Sequence, residues 1–165
     1  MSKAFTKEDD SGSGFDMARR PIAAGPLTAA GAQRFREELE ELLRRRAKLA
    51  ARGDQDIETR EELERIDRRA RELRLILGSA AVITPSQHND DIVRFGATVV
   101  VRNREGEDEY HIVAPAEADP LRGFISSASP LAKVLLNNRV GDEVLFTFPD
   151  GEDVLTILSV SYSNG

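Results

Sequence analysis

The chain has 165 residues, of which 40 % are apolar and 32 % are charged, and its formal net charge is −6. It has no cysteine and two histidines, so disulfides, thiolate metal sites, cysteine nucleophiles and multi-histidine metal centres are excluded. No apolar run approaches the ~20 residues that span a bilayer, and the N-terminus has no apolar stretch typical of a secretory signal. We therefore expect a cytoplasmic protein with no membrane partner.

Charge is distributed unevenly along the chain. Residues 27–77 carry thirteen basic and twelve acidic side chains, whereas residues 78–165 carry six basic and thirteen acidic ones. An acidic segment repels a phosphate backbone, so the C-terminal part is better suited to a basic protein surface than to nucleic acid. Residues 1–26 include a Ser-Gly-Ser-Gly stretch among charged residues, which predicts a disordered tail.

Two heptad seams follow this segment. The first seam consists of Phe35, Leu39, Leu42, Arg46 and Leu49. The second seam consists of Thr59, Leu63, Ile66, Ala70, Leu73 and Leu77. In both, the spacing alternates between four and three residues, as in a coiled coil. Antiparallel helices pair residues whose numbers sum to a constant, and the two seams pair at sums of 108 or 109. This predicts an antiparallel two-helix coiled coil over residues 27–80, with its turn between Asp54 and Gln55.

The ends of the predicted hairpin carry signals of their own. Thr28 is predicted to cap the first helix, because a threonine hydroxyl can accept a hydrogen bond from a free N–H of the first turn. Gly78 is predicted to end the second helix, as a glycine just past a helix commonly does. Residues 85–91 are polar and turn-forming, and we interpret residues 81–91 as a linker.

From residue 92 onward the apolar period changes to two, which is the period of a strand. Strands are predicted at residues 95–101, 109–113, 124–126, 143–148 and 154–162. A short helix follows the third strand, with Ser129 as its cap and Pro130 at its first position. Residues 92–165 are thus predicted to form a five-stranded antiparallel sheet with one helix packed on it, and the chain belongs to the α+β class.

Three acidic residues lie at the predicted tip of the hairpin: Asp54, Asp56 and Glu58. Carboxylates are ligands for Mg²⁺, and a site with few protein carboxylates takes its other ligands from elsewhere. These acids are therefore candidates for a Mg²⁺ site shared with a partner. Acidic residues are also favoured in the first turn of a helix by the helix dipole, and the sequence leaves both interpretations open.

Basic side chains along the hairpin also have two interpretations. Candidates for contact with RNA are Arg44, Arg45, Lys48 and Arg52. Such residues equally pair with acids one helical turn away on a solvated surface, as Glu41 would with Arg45. Arg46 differs from them because it lies in the seam, where a guanidinium is not buried cheaply, and it indicates loose packing near the tip or a functional demand. His88 and His111 have no clustered partners and are interpreted as structural.

Several motifs of the second half resemble the Gre family of bacterial transcription elongation factors. They are Phe95-Gly-Ala-Thr-Val99, Ile112-Val113 followed by Glu117-Ala-Asp119, Ile125 to Ala132 with its Ser-Pro pair, and Val140-Gly-Asp-Glu-Val144. Residues 27–39 and 66–69 resemble the two hairpin helices of the family. The resemblance implies an N-terminal coiled coil and a C-terminal FKBP-like domain. It also implies an accessory factor that has no catalytic residues of its own.

The resemblance further implies that RNA polymerase is the partner. In the family, the β domain docks at the rim of the polymerase secondary channel, which on this sequence points to Asp119, Ser126, Ser129 and Pro130. The hairpin enters the channel, and its tip acids share a Mg²⁺ with the polymerase active site, which then cleaves backtracked RNA. Nascent RNA is a further partner in this scheme. No cofactor is expected on the factor alone, and we expect a monomer.

The tip departs from the family pattern. The Ser-Glu-Asn-Ala block and the acidic-Tyr pair of the family do not occur here, although Asp54 matches its first aspartate. The hairpin is also shorter by roughly a dozen residues, which at ~1.5 Å per residue retracts the tip by about 6–10 Å. Two alternatives to cleavage stimulation stay open. One is a short-hairpin regulator or inhibitor that binds the channel without cleavage activity, and the other is a module that binds an unrelated basic protein.

Overall fold

The computed structural model describes residues 25–53, 56–84 and 91–162. These residues form a helical hairpin followed by a small β domain, so the predicted α+β class is confirmed. The hairpin consists of α1 (Ala29–Arg52) and α2 (Ile57–Ser79). It is flanked by two short strands, β1 (Leu27–Thr28) and β2 (Val82–Ile83). In the described ranges, no helix is both long and apolar enough to cross a membrane. The predicted tail over residues 1–26 lies mostly outside these ranges.

The caps of the hairpin follow from its sequence, with one exception. Thr28 caps α1 as predicted, because its hydroxyl accepts the N–H of Gly31 at 2.9 Å. Gly53 ends α1 with a φ of 69°, a left-handed conformation that glycine adopts without steric cost. The prediction for Gly78 is wrong, since α2 continues through it to Ser79. The chain leaves the helix at Ala80, whose extended backbone leads directly into β2.

The strands β1 and β2 pair with each other at the base of the hairpin. This pairing was not predicted from the sequence. Leu27 pairs in parallel with Val82, and Thr28 pairs with Ile83. The N–H of Leu27 also donates to the carbonyl of Ala81 at 2.9 Å. The strand that precedes α1 is thereby hydrogen-bonded to the strand that follows α2, so the base of the hairpin is closed by backbone hydrogen bonds.

Burial of the two seams decreases from the base of the hairpin to its tip. Phe35 and Leu73 are buried near the base, and Ile66 is buried farther along. Leu49, close to the tip, is only half-buried. Arg46 is exposed and pairs with Asp67 of the other helix, its Nε 2.6 Å from the carboxylate. The packing therefore loosens toward the tip, as the polar residue in the seam indicated.

The β domain contains a five-stranded sheet with a short helix. Its elements are β3 (Ala97–Arg102), β4 (Glu107–Val113), β5 (Phe124–Ser126), α3 (Pro130–Leu135), β6 (Glu143–Phe148) and β7 (Gly151–Tyr162). The strand order is β5-β4-β3-β7-β6. The sheet is mixed rather than antiparallel throughout, because β5 runs parallel to β4. Two short 3₁₀ turns, Pro115–Glu117 and Pro120–Arg122, carry the chain back so that both strands point the same way.

The core of the β domain lies between one face of this sheet and α3. Alternate residues of β3 point inward, and Val99 and Val101 are fully buried. Ala132 and Leu135 of α3 are also fully buried, as are Ile112 and Ile157 to within one per cent. Each such apolar side chain contributes about 1.5–3 kcal/mol when it leaves water. This core holds β5 and α3, which carry the docking candidates Ser126 and Pro130.

Candidate functional site

The loop before β5 presents Asp119 on a hydrogen-bonded turn. The N–H of Asp119 donates to the carbonyl of Phe124 at 2.9 Å, and the N–H of Phe124 donates back at 3.0 Å. Gly123 lies in the left-handed region, with a φ of 78°. A Cβ at that position would lie 2.7 Å from the carbonyl oxygen of Glu109. The turn therefore has a fixed shape, and it exposes Leu121 completely.

The remaining docking candidates have local structural roles. The hydroxyl of Ser126 accepts the N–H of Ala128 at 3.1 Å. Ser129 caps α3, its hydroxyl 3.2 Å from the N–H of Ala132, and Pro130 occupies the first position of that helix. Both serines are thus used to shape the chain after β5. The Asp119 turn directly precedes β5, and α3 begins shortly after it. The docking candidates therefore lie at the two ends of β5, which is an edge strand of the sheet.

The structure describes two of the three acidic residues predicted at the tip of the hairpin, Asp56 and Glu58. Asp56 caps α2, with its Oδ1 2.7 Å from the N–H of Thr59. Hydrogen bonds from Thr59 lower the pKa of Asp56 below its usual range. Glu58 is exposed in the first turn of α2, and Asp54 lies outside the described residues. Within the described ranges, no group of three or more metal-ligating side chains is found.

Two of the four basic candidates on the hairpin are paired with acids. Arg44 lies 3.3 Å from Glu41, one turn away on the same helix. Arg45 pairs with Glu62 across the hairpin rather than with Glu41. Lys48 and Arg52 are exposed near the tip. Of the four RNA-contact candidates, Lys48 and Arg52 lie nearest the tip of the hairpin.

His111 has the structural role that was expected. Its Nδ1 lies 2.8 Å from the hydroxyl of Thr98 on the neighbouring strand. Its ring stacks on Phe124, with 4.6 Å between the ring centroids. The imidazole thereby helps to hold β5 beside β4. His88 lies outside the described residues.

One residue of structural importance was identified in the sequence only as part of a family motif. Glu117 is 5 % exposed and is the one charged residue that is buried in the described ranges. Its Oε2 accepts the N–H of Thr28 at 3.0 Å and the N–H of Ala114 at 3.2 Å. Its Oε1 accepts the hydroxyl proton of Thr28 at 2.5 Å. A carboxylate of the β domain is therefore bonded to the N-terminus of the hairpin. The sequence does contain one sign of this contact. Glycine is unfavourable within a helix, and Gly31 in the first turn of α1 indicates that another group approaches the helix closely there.

Comparisons with known proteins give matches along most of the chain. The family model for the C-terminal part of GreA/GreB transcription elongation factors matches residues 87–162. Transcription elongation factor GreA of Geobacillus kaustophilus is 35 % identical over 82 % of this chain and 95 % of its own length. The GreA of Paracoccus denitrificans is 36 % identical over 83 % of this chain and 97 % of its own. Among solved structures, Thermus aquaticus Gfh1 is 25 % identical, covers 84 % of this chain and 97 % of its own, and has a TM-score of 0.42.

The hairpin on a mixed β domain, together with these matches, defines an accessory factor that acts through RNA polymerase and does not itself catalyse a reaction. The chain belongs to the GreA/GreB family of transcription elongation factors. It is shorter than its relatives in the matched region. The alignment with the Geobacillus protein spans 150 residues, whereas 82 % of 165 residues is about 135, which leaves roughly 15 residues of that relative without a counterpart.

Proposed function

We propose that this chain binds RNA polymerase at its secondary channel and regulates elongation without strongly stimulating cleavage of backtracked RNA. The observation that carries the proposal is the tip of the hairpin. Its two helices are separated by residues 53–56, and the carboxylate of Asp56 is used to cap α2. A capping carboxylate has one oxygen committed to the backbone, so it is poorly prepared to complete a metal site in a partner.

The reach of the hairpin supports the same proposal. Helices of 24 and 23 residues make a rod about 36 Å long at ~1.5 Å per residue. If the roughly 15 residues that are lacking relative to GreA come from both arms of the hairpin, the tip is retracted by about 10 Å. Metal–ligand distances vary by only about 0.2 Å, so a retraction of this size removes the tip acids from a metal held by the polymerase.

Docking in this proposal is carried by the β domain. Residues 78–165 have seven more acidic than basic side chains, which complements a basic surface on the polymerase. The turn that bears Asp119 is fixed by its two backbone hydrogen bonds to Phe124. A preformed turn binds without the entropic cost of ordering a loop. Asp119, with Ser126, Ser129 and Pro130 at the other end of β5, is the surface that we assign to the polymerase.

Nascent RNA is a further partner in the proposal, through Lys48 and Arg52. These two side chains are exposed at the end of the hairpin that would enter the channel. Arg44 and Arg45 are less suited to RNA because they already form ion pairs with Glu41 and Glu62. We further propose that the factor acts as a monomer in the cytoplasm. The linker predicted over residues 81–91 begins too early, because Val82 and Ile83 pair with β1 and belong to the base of the hairpin. We therefore propose that the chain after Ile83 links the hairpin to a β domain of residues 92–165.

The test is a comparison of binding and cleavage on stalled, backtracked elongation complexes of bacterial RNA polymerase. We expect this chain to bind, to displace a labelled GreA with a full-length hairpin, and to leave the rate of RNA cleavage near its intrinsic value. Strong cleavage would contradict the proposal, most directly if Asp54→Asn or Asp56→Asn abolished it at saturating factor. Absence of binding would instead favour a module that recognises an unrelated protein.

A further inference from the structure

The hydroxyl of Thr28 connects two structural tasks. Its oxygen accepts the N–H of Gly31 at 2.9 Å, which caps α1. Its single proton is donated to Oε1 of Glu117 in the β domain. The cap of the hairpin and its contact with the β domain therefore depend on the same group. Threonine and serine can perform both tasks with one group, whereas valine can perform neither.

The contact is tightly packed around the carboxylate. A Cβ at Gly31 would lie 1.5 Å from Oε1 of Glu117, so only glycine allows the helix to approach this closely. Arg34, one turn farther along α1, lies 3.8 Å from the same oxygen. Its guanidinium also lies 5.0 Å from the ring centroid of Phe124 in β5. The first turn of α1 is thereby fixed to the β domain by a buried anion, a close approach and a cation–π contact.

An apolar layer completes the contact beside these polar groups. Leu27, Phe35, Leu73 and Ile76 of the hairpin segment form one buried cluster with Ala114 of the β domain. Phe95 and Ala116 pack against the same cluster. The core of the β domain is a separate cluster, built on β3, β7 and α3. The hairpin and the β domain are therefore joined by apolar contacts as well as by Glu117, and the β domain has a core of its own.

We propose that Glu117 is a positioning residue, which holds the hairpin at one orientation on the β domain and thereby fixes the direction in which the hairpin points when the β domain is docked. The inference rests on the proposed function for its biological consequence, but not for its geometry. An exposed rod with little packing of its own transmits any tilt at its base to its tip. A tilt of about 15° at the base moves the tip of a rod of ~36 Å by roughly 9 Å.

Removal of the carboxylate leaves the joint without its acceptor. In Glu117→Ala, the N–H groups of Thr28 and Ala114 and the hydroxyl of Thr28 lose their partner at a site that is buried at Ala114 and partly buried at Thr28. These donors regain partners only if water enters the joint, and we expect the hairpin to tilt on the β domain to admit it. The fold of the β domain stays intact because its own core does not include the joint.

The direct test measures the distance between the two parts of the full chain. Because the chain has no cysteine, Ala47→Cys on α1 and Glu152→Cys on β7 give a unique pair of sites for nitroxide labels. Electron–electron dipolar spectroscopy is expected to give one narrow distance distribution for the parent protein and a clearly broader one for Glu117→Ala. Thr28→Val should broaden it as well, whereas Thr28→Ser, which keeps the hydroxyl, should not. An unchanged distribution in Glu117→Ala would overturn the proposal.

A second test uses the close approach of Gly31. Gly31→Ala should lower the melting temperature when Glu117 is present, because the added methyl displaces the carboxylate from its three donors. In the Glu117→Ala background, the same substitution should raise the melting temperature, since the space is free and alanine favours a helix over glycine. This reversal of sign is the expected signature of direct coupling. A decrease in both backgrounds would count against the joint.

The consequence for polymerase is measured separately. Glu117→Ala should bind elongation complexes with nearly unchanged affinity, while its effect on elongation at saturating concentration falls several-fold. Equal loss of affinity and effect would mean that Glu117 belongs to the docking surface, which overturns the positioning role. If the parent protein has no effect on polymerase, the proposed function fails, but the label distances still decide whether Glu117 holds the hairpin.

Discussion

Arg69 on α2 forms a two-pronged ion pair with Glu38 on α1, in which Nε and Nη2 lie 2.7 and 3.0 Å from the two carboxylate oxygens. The same guanidinium reaches Glu72 at 2.9 Å. The hydrogen bond with Glu38 is the main reason why the pKa of Arg69 is raised above its ordinary value. Arg69 and Glu38 have residue numbers that sum to 107, one below the register predicted for the two seams, so this pair joins the helices next to the apolar stripe.

The first prediction concerns this pair. Arg69→Lys should destabilise the hairpin almost as much as Arg69→Ala, because an ammonium cannot form the fork with Glu38. The side chains are 37 % and 39 % exposed, so solvent screening limits the loss to at most about 1 kcal/mol. Urea denaturation at low and high salt is the measurement, and the difference between variants should shrink in high salt. A Lys variant as stable as the parent would show that the fork contributes nothing.

The second prediction concerns the cap at Asp56. Asp56→Asn should keep the helicity of the parent at neutral pH, because asparagine is an equally good cap, whereas Asp56→Ala should lose part of it. The hydrogen bonds from Thr59 lower the pKa of Asp56 in the folded state. Its contribution to stability is therefore complete above the ordinary aspartate pKa of ~3.9 and is lost as the pH falls through the lowered value.

Acid titration of the helical circular-dichroism signal checks this prediction. The parent protein should lose more stability than Asp56→Asn as the pH is lowered below about 4, since asparagine does not titrate. Parallel titration curves for the two proteins would show that Asp56 is not the group responsible. Asp56→Asn is also the suitable variant for cleavage assays, because it removes the charge and keeps the helix capped.

The third prediction concerns Gly123 in the turn next to Asp119. Gly123→Ala should weaken polymerase binding and lower stability, because a side chain at a φ of 78° costs about 1–2 kcal/mol and its Cβ would meet the carbonyl of Glu109 at 2.7 Å. Gly141 offers a matched control, since its φ is 92° and no atom lies within 4 Å of its Cβ position. Thermal melting and a pull-down with polymerase are the measurements. Equal effects of the two substitutions would attribute the loss to backbone strain alone.

The fourth prediction concerns charge at the proposed docking surface. Asp119→Arg should reduce polymerase affinity by at least about tenfold, equivalent to ~1.4 kcal/mol, because like charges would meet across the interface. Glu105→Arg makes the same change of net charge on an exposed turn far along the sheet from β5 and should have a much smaller effect. Binding titrations at two salt concentrations separate local from overall electrostatics. Equal losses in the two variants would remove Asp119 from the proposed surface.

Local patterns determined most of the secondary structure of this protein. The two seams, from Phe35 to Leu77, predicted α1 and α2. Apolar residues at alternating spacings of four and three fall on one side of a helix, where two helices can bury them against each other. The alternation of apolar and polar residues predicted β3 and β7, because successive side chains of a strand point to opposite faces of the sheet. The caps at Thr28 and Ser129 followed from side chains that bond within three residues of themselves. Such interactions are encoded in neighbouring residues and are visible in the sequence.

The relation between the two parts of the molecule was decided by the tertiary structure. Thr28 and Glu117 are 89 residues apart, and nothing in either segment specifies the other as its hydrogen-bond partner. The end of α2 at Ser79 rather than at Gly78 depends on β2 pairing with β1, and the parallel course of β5 depends on the two turns before it. Contacts of this kind exist only when distant segments meet. Local sequence patterns therefore specified the helices, most of the strands and the family. The contact of Glu117 with Thr28, which joins the hairpin to the β domain, forms only when the two segments meet in the folded chain.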